Sequence, residues 1–372
     1  MEFRDCKNML IIRPDNMGDL LMSSPAIRAI KKSFNCKITV LCSTKAAEVA
    51  TMIEEIDEQI AFDLPWLKFD STTTENVNGL IETLKEKCFD GCVLFNVYSQ
   101  NPAPCLMLAY LAGIKYRAAY SRENLYGLLT HWLPDDEPFS VIRHQVERDL
   151  NLARFLGAHI TDDSLKIIEP APKTCSALIE RYDLTAQGYF VLHSGVSENK
   201  RRYPKAYWIV LAKLLINKYQ LPVVFTGSAA ESTFVQLLVN EVGQGAINLA
   251  GKLNLQDLTA TIKQAKCVVS VNTGPMHLAV ALKTPLVALY AQTNPQHTPY
   301  KSKHRLLEFS VPDALRSANQ IIRAVNEKYY AQNIPYPTPQ RVIEQLSELV
   351  DEVTAVTPLP EPDFHPDVLS SR

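Results

Sequence analysis

Apolar residues in this chain come in short blocks, separated by longer stretches in which they recur every three or four positions. Met9, Leu10, Ile11 and Ile12 in NMLIIR form the first block and read as a strand buried on both faces. Leu20, Leu21, Ile27 and Ile30 follow at helical spacing over residues 19–33. CKITVLC and EQIAFDL read as strands, NGLIETLKEK as a helix, DGCVLFNV as a strand, and APCLMLAYLAG as a buried helix closed by Gly113. This alternation predicts an α/β unit with a doubly wound parallel sheet.

A second series begins after the polar stretch IIEPAPKTCS. GYFVLHSG, LPVVFTGS, KCVVSVN and TPLVALYA read as strands; KAYWIVLAKLLINKY, STFVQLLVNEV, QDLTATIKQA and GPMHLAVAL read as helices. The division this gives is 1–170, 171–330 and a tail at 331–372, with two Rossmann-like domains facing each other across a cleft. SANQIIRAVNEKYY and QRVIEQLSELVDEV look amphipathic, and the tail helices are expected to pack back across the first domain. The end, TPLPEPDFHPDVLSSR, holds four prolines and is expected to be a flexible arm. No sequence repeat of fixed period is visible.

Length agrees with that division, because 372 residues exceed what one core usually supports. The 38 basic and 40 acidic residues leave a net charge of −2, which argues against nucleic acid as a partner. No window has the run of apolar residues a membrane span needs, and MEFRDCKNMLII lacks a signal-peptide pattern. The eight cysteines include no C-x-x-C pair and no histidine at ligand spacing, so they read as reduced core residues of a cytoplasmic protein with no metal site.

Chemistry concentrates where strands hand over to helices. Only 13 glycines occur, yet Gly18, Gly195, Gly227 and Gly274 each fall just after a predicted strand, at the edge where open sheets bind ligands. In SVNTGPMHLAVAL, Asn272 turns the chain and Pro275 starts a helix. Thr273, Gly274 and Met276 then offer main-chain donors suited to a diphosphate. His277 lies in that first turn, either as a satisfied core residue or as a ligand contact. HSGVSENKRRYP places Lys200, Arg201 and Arg202 after another strand, either as a solvated run or as a counter-charge for a leaving phosphate. Asp19, in RPDNMGDLL, is a carboxylate set where a strand hands over to a helix, a place that suits a first-turn acid. Walker A, G-x-G-x-x-G and G-x-S-x-G signatures are absent, which argues against P-loop ATP hydrolysis, weakens a dinucleotide dehydrogenase and leaves an α/β-hydrolase unsupported.

RPDNMGDLLMSSPAIRAIK and NLAGKLNLQDLTATIKQAKCVVSVNTGPMHLAVALKTPLVALY together resemble glycosyltransferase family 9, the ADP-heptose:lipopolysaccharide heptosyltransferase group. The resemblance implies a GT-B fold and inverting, metal-independent transfer from a nucleotide sugar without a cofactor. By position it makes Asp19 the general base and gives the donor Gly18, Ser194, Gly195, Lys200 or Arg201, Asn272, Thr273, Gly274, Pro275, Met276 and His277. Glu231 would hold the ribose. The acceptor, a glycan or lipid-linked glycan, would meet the first domain through Arg117, Arg122 and Asn124, with peripheral contact at the inner membrane face. Two departures stand out: Asn272 where many members carry aspartate, and YAQT where F-G-P-T is usual. They keep open a non-catalytic nucleotide-sugar-binding protein of the same fold; a nucleotide-sugar epimerase ranks last.

Overall fold

The computed structural model describes residues 3–67, 72–331 and 333–356. The proline-rich end from residue 357 lies outside them. Six strands form the first sheet: β1 (Asn8–Arg13), β2 (Lys37–Cys42), β3 (Glu58–Ala61), β4 (Gly91–Leu94), β5 (Tyr116–Ser121) and β6 (His131–Pro134). Another six form the second: β7 (Phe190–His193), β8 (Val223–Thr226), β9 (Ala246–Asn248), β10 (Cys267–Val271), β11 (Leu286–Ala291) and β12 (His304–Phe309). Every pairing is parallel. The orders are β3-β2-β1-β4-β5-β6 and β12-β11-β10-β7-β8-β9. Numbered from its own first strand, each sheet therefore runs 3-2-1-4-5-6, the Rossmann order. The order reverses between β1 and β4 and between β7 and β10, which puts a ligand crevice at the carboxyl ends of those strands.

The helices are α1 (Met17–Phe34), α2 (Thr44–Ala50), α3 (Thr74–Glu86), α4 (Ala103–Leu111), α5 (Gln145–Phe155), α6 (Pro172–Arg181), α7 (Lys205–Tyr219), α8 (Ser232–Val242), α9 (Leu255–Lys263), α10 (Gly274–Ala281), α11 (Gln320–Tyr329) and α12 (Pro339–Val356). Central strands are apolar on both faces because helices cover both sides, as in β1, where Met9 through Ile12 are fully buried. One apolar cluster runs from β1 and α1 through α6 to β10 and α10, so the two domains share buried surface. Seven cysteines are buried and Cys88 is exposed.

The expectation that the tail helices cross the first domain is corrected for α12. Val342, Leu346, Leu349 and Val350 sit in the core of the second domain with residues of α7, β11 and β12. Their helical spacing matches an apolar groove left open on that sheet, so α12 belongs to the second domain. α11 does reach across, where Lys328 Nζ donates to Phe139 O at 3.4 Å.

Candidate active site at the seam between the domains

On the first-domain side, β1 ends at Arg13 and the chain turns through Asn16, extended at φ −86°, into α1. The Asn16 N–H donates to Asp19 Oδ2 at 3.2 Å, so the acid does cap its helix. Its other oxygen, Oδ1, lies 3.5 Å from Arg13 Nη2. One oxygen of the carboxylate is thus fixed by its own helix start and the other lies beside Arg13. Further along α1, Pro25 removes the donor that Leu21 O would receive, and Ser24 Oγ supplies one instead at 2.8 Å.

Arg13 is wholly buried behind Asp19. Burial alone would weaken its charge, but Asp15, Asp149 and Asp19 more than offset that and hold it ionised. Asp15 accepts from Gln100 Nε2 at 2.5 Å, and burial raises it to about 6 against the pull of Arg13. Asp149 accepts from Ser23 Oγ at 2.7 Å and Gln145 Nε2 at 2.8 Å. Nearby, Arg148 holds Asp135 at 2.8 Å and Glu137 at 2.5 Å, all three side chains nearly or wholly buried.

Three turns on the second-domain side converge. After β10, the Asn272 amide donates to Ala291 O at 3.2 Å and Thr293 Oγ1 at 3.0 Å, while its oxygen accepts from the Ala291 N–H at 3.3 Å. Asn272 thus ties the end of β10 to the YAQT segment, a two-way bond that a carboxylate cannot make. Two of the three main-chain donors expected as free are used within the turn. The Thr273 N–H goes to Val271 O at 2.8 Å and the Met276 N–H to Thr273 O at 3.1 Å. The turn is tight enough to close on itself.

After β7 come Ser194 and Gly195, and after β8 comes Glu231. The Glu231 carboxylate accepts from the Ser228 N–H at 2.7 Å and packs so closely on Gly195 that an added Cβ would meet its Oε2 at 2.3 Å. Glycine at 195 is what admits the acid. His193, bonded to Thr226 at 2.9 Å, is lowered to about 4 by burial, with Glu231 opposing. Arg201 reaches the β10 turn, donating to Asn272 O at 3.1 Å, whereas Lys200 pairs only with Glu198, at 3.1 Å. Arg201 also pairs with Glu198, at 3.0 Å. Among the described residues, Ser194 Oγ, Arg201 Nε and His277 Nδ1 are buried without a partner. Each such atom is costly to leave bare.

The two sides touch. A Cβ on Gly18 would lie 2.8 Å from His277 Cδ2, and Met17 lies over Gly274. His297, in a short turn after β11, places Nε2 3.7 Å from Asp19 Oδ1. Burial holds both His277 and His297 well below the ordinary histidine value, and neighbouring Arg201 and His144 act the same way. The acceptor candidates do not share in this. Arg117 donates to the carbonyls of Leu128 at 2.9 Å and Gly127 at 2.6 Å, and stacks on Tyr110, which makes it a staple of its own loop. Asn124 accepts from the Tyr126 N–H at 2.8 Å. Arg122 donates to Tyr98 O and, at 3.3 Å, to Glu137 O. Sequence reading missed Arg13, Glu198, Asp149 and His297. Arg13 carried a signal, a cation directly before the turn, and Glu198 stands two and three residues before Lys200 and Arg201; Asp149 and His297 lie far along the chain from the groups they meet.

Two Rossmann domains, each with the strand order 3-2-1-4-5-6 and meeting at one seam, define a GT-B fold. Residues 79–329, well over half of the chain, match the profile of glycosyltransferase family 9 (heptosyltransferase), and the chain belongs to that family. The lipopolysaccharide heptosyltransferase 2 of Salmonella typhimurium is 27% identical over 92% of this chain and 99% of its own. The lipooligosaccharide heptosyltransferase 2 of Haemophilus influenzae is 24% identical over 92% and 99%. In fold, the family 9 glycosyl transferase of Veillonella parvula superposes with a TM-score of 0.74 at 21% identity, covering 95% of this chain and 99% of that one. The ADP-heptose heptosyltransferase II of E. coli gives 0.70 at 23%, covering 93% and 99%. No helix among the described residues is long and apolar enough to cross a membrane.

Proposed function

We propose that this glycosyltransferase moves a heptose from ADP-heptose to a glycan or lipid-linked acceptor of the lipopolysaccharide core, with inversion and without a metal. The observation that carries the reading is Asp19, with one oxygen held by its own helix and the other 3.7 Å from His297 of the second domain. The names of the relatives support the sugar and the acceptor class.

The acceptor hydroxyl loses its proton to Asp19 Oδ1 as its oxygen attacks the anomeric carbon, and the bond to the diphosphate breaks on the opposite face. Charge on the leaving diphosphate is met by Arg201, Lys200 and the N-terminus of α10 in place of a metal ion. Ser194 Oγ, Arg201 Nε and His277 Nδ1, bare in this structure, are the side-chain atoms that such a group would satisfy. Glu231 takes the ribose hydroxyls, exchanging its bond to Ser228 for them. The first domain is the acceptor side and the second the donor side, and peripheral contact with the inner membrane face brings a lipid-linked acceptor within reach.

The test is ADP release from ADP-heptose with deacylated lipopolysaccharide core as acceptor. Asp19→Asn is expected to lose roughly 10²–10⁴-fold in kcat while ADP binding stays within about twofold. Absence of transfer by the unaltered protein would overturn the activity. An Asp19→Asn variant as fast as the parent would overturn the base.

A further inference from the structure

The turn bearing His297 belongs to the second domain, yet it is held by the first. Gln296, wholly buried, donates through Nε2 to Glu137 Oε1 at 3.2 Å and to Arg143 O at 3.0 Å. One residue beyond His297, Thr298 O lies 2.8 Å from His144 Nε2. On its own side, Tyr290 Oη donates to Asn294 O at 2.5 Å. Anchored on both flanks, His297 has little freedom, and it is aimed at Asp19.

The hydrogen-bond chain also fixes which ring nitrogen carries the proton. Asn294 Oδ1 accepts from the Gln296 N–H at 2.9 Å, so the amide nitrogen of Asn294 is the atom 3.3 Å from His297 Nε2. An amide nitrogen only donates, so Nε2 receives that bond and is unprotonated, leaving the hydrogen on Nδ1. The same Nε2 lone-pair edge lies 3.7 Å from Asp19 Oδ1. Two acceptors thus face each other, a pairing that becomes favourable only when a proton arrives between them.

We propose that His297 is a positioning residue for proton abstraction: its single Nε2 lone pair exchanges the long bond from the Asn294 amide for a hydrogen bond from Asp19 Oδ1–H once the carboxylate has taken the acceptor's proton. This inference rests on the reading of Asp19 as the base. The proton leaves the acceptor hydroxyl and ends on Oδ1; the new bond forms from acceptor oxygen to anomeric carbon; the electron pair of the broken bond departs with the diphosphate. His297 exchanges one hydrogen-bond donor for another and gains no charge. Burial, with Arg13, His144 and Arg201 around it, keeps the imidazole neutral, as this role requires. The groups facing it are Asp19 from α1, Arg13 from β1, His144 ahead of α5, Arg201 after β7 and His277 from α10. Because His297 comes from the opposite domain, the base is complete only when the domains are together.

His297→Phe keeps the bulk of the ring and removes the acceptor nitrogen; His297→Gln offers an acceptor oxygen in its place. With ADP-heptose and the deacylated core, His297→Phe is expected to lose at least tenfold in kcat. Its donor KM should stay within about twofold, and the acid limb of its kcat–pH profile should move to lower pH. His297→Gln is expected to retain several times the kcat of the Phe variant. Equal kcat for the two, or a Phe variant with the parental acid limb, would overturn the inference. Asp19→Asn run in parallel separates the two failures: if Asp19 is essential and His297 is not, only the positioning role falls.

Discussion

Gly18 and His277 meet across the seam with no room for a methyl group between them. A Cβ on Gly18 would stand 2.8 Å from His277 Cδ2 and 3.7 Å from the Cα of Gly274. Gly18→Ala must therefore push the two turns apart or shift an imidazole buried on all sides, at about 1–3 kcal/mol. The expected result is a loss of roughly 5- to 150-fold in kcat/KM. Gly274→Ala meets only the tip of Met17, a flexible side chain that swings aside, so its loss should be smaller. Steady-state kinetics of the two variants check the ranking; the reverse order would mean the seam is open during turnover.

Asn272 gives a second prediction, about stability. Replacing it with aspartate restores the residue common in the family but sets a carboxylate oxygen against Ala291 O, where the amide now donates at 3.2 Å. The expected cost is about 1–3 kcal/mol, read as a lower urea midpoint. An unchanged midpoint would mean that the strand ends hold together without the amide.

Asp149 sets a pH dependence whose sign is fixed by its burial. Burial raises its carboxyl to about 6, against Arg13, Ser23 and Gln145, which lower it. The folded state thus favours the protonated acid, and the stability this contributes is present below the unfolded value near 3.9 and lost as pH rises through 6. A shift of about two units corresponds to about 3 kcal/mol. Asp149→Asn should flatten the unfolding free energy between pH 4 and 6.5 by an amount of that order. A slope as steep as the parent's would place the titration elsewhere.

Much of the fold was legible because its central strands are continuous apolar blocks. NMLIIR, KCVVSVN and TPLVALYA could be read at once, since burial on both faces leaves no polar position to confuse the period. The missed strands β5, β6, β9 and β12 have weaker signals. YRAAYS is alanine-rich, AIN spans three residues, and HRLLEF is only partly buried at the sheet edge. The duplicated architecture was legible as two Rossmann-like series, because the halves share an alternation of apolar blocks and helical stretches even though they share no visible sequence repeat. In the site, Asp19 and the TGPMH turn were visible because helix starts have local chemistry. Glu231 against Gly195 and His297 against Asp19 are encounters across folded turns, and no spacing along the chain encodes them.

The apolar cluster that passes from the first domain into the second has a bearing on how such enzymes diversify. Leu20 and Ile27 of α1, Leu178 of α6, Ile262 of α9 and Leu278 of α10 belong to one continuous core. The second half cannot then be exchanged as an independent cassette. Any foreign second half must arrive with a surface shaped to this α1 and α6, because interior packing punishes mismatches of a single methylene. Substitution within the turns leaves this shared core intact, whereas exchange at the domain boundary has to rebuild it.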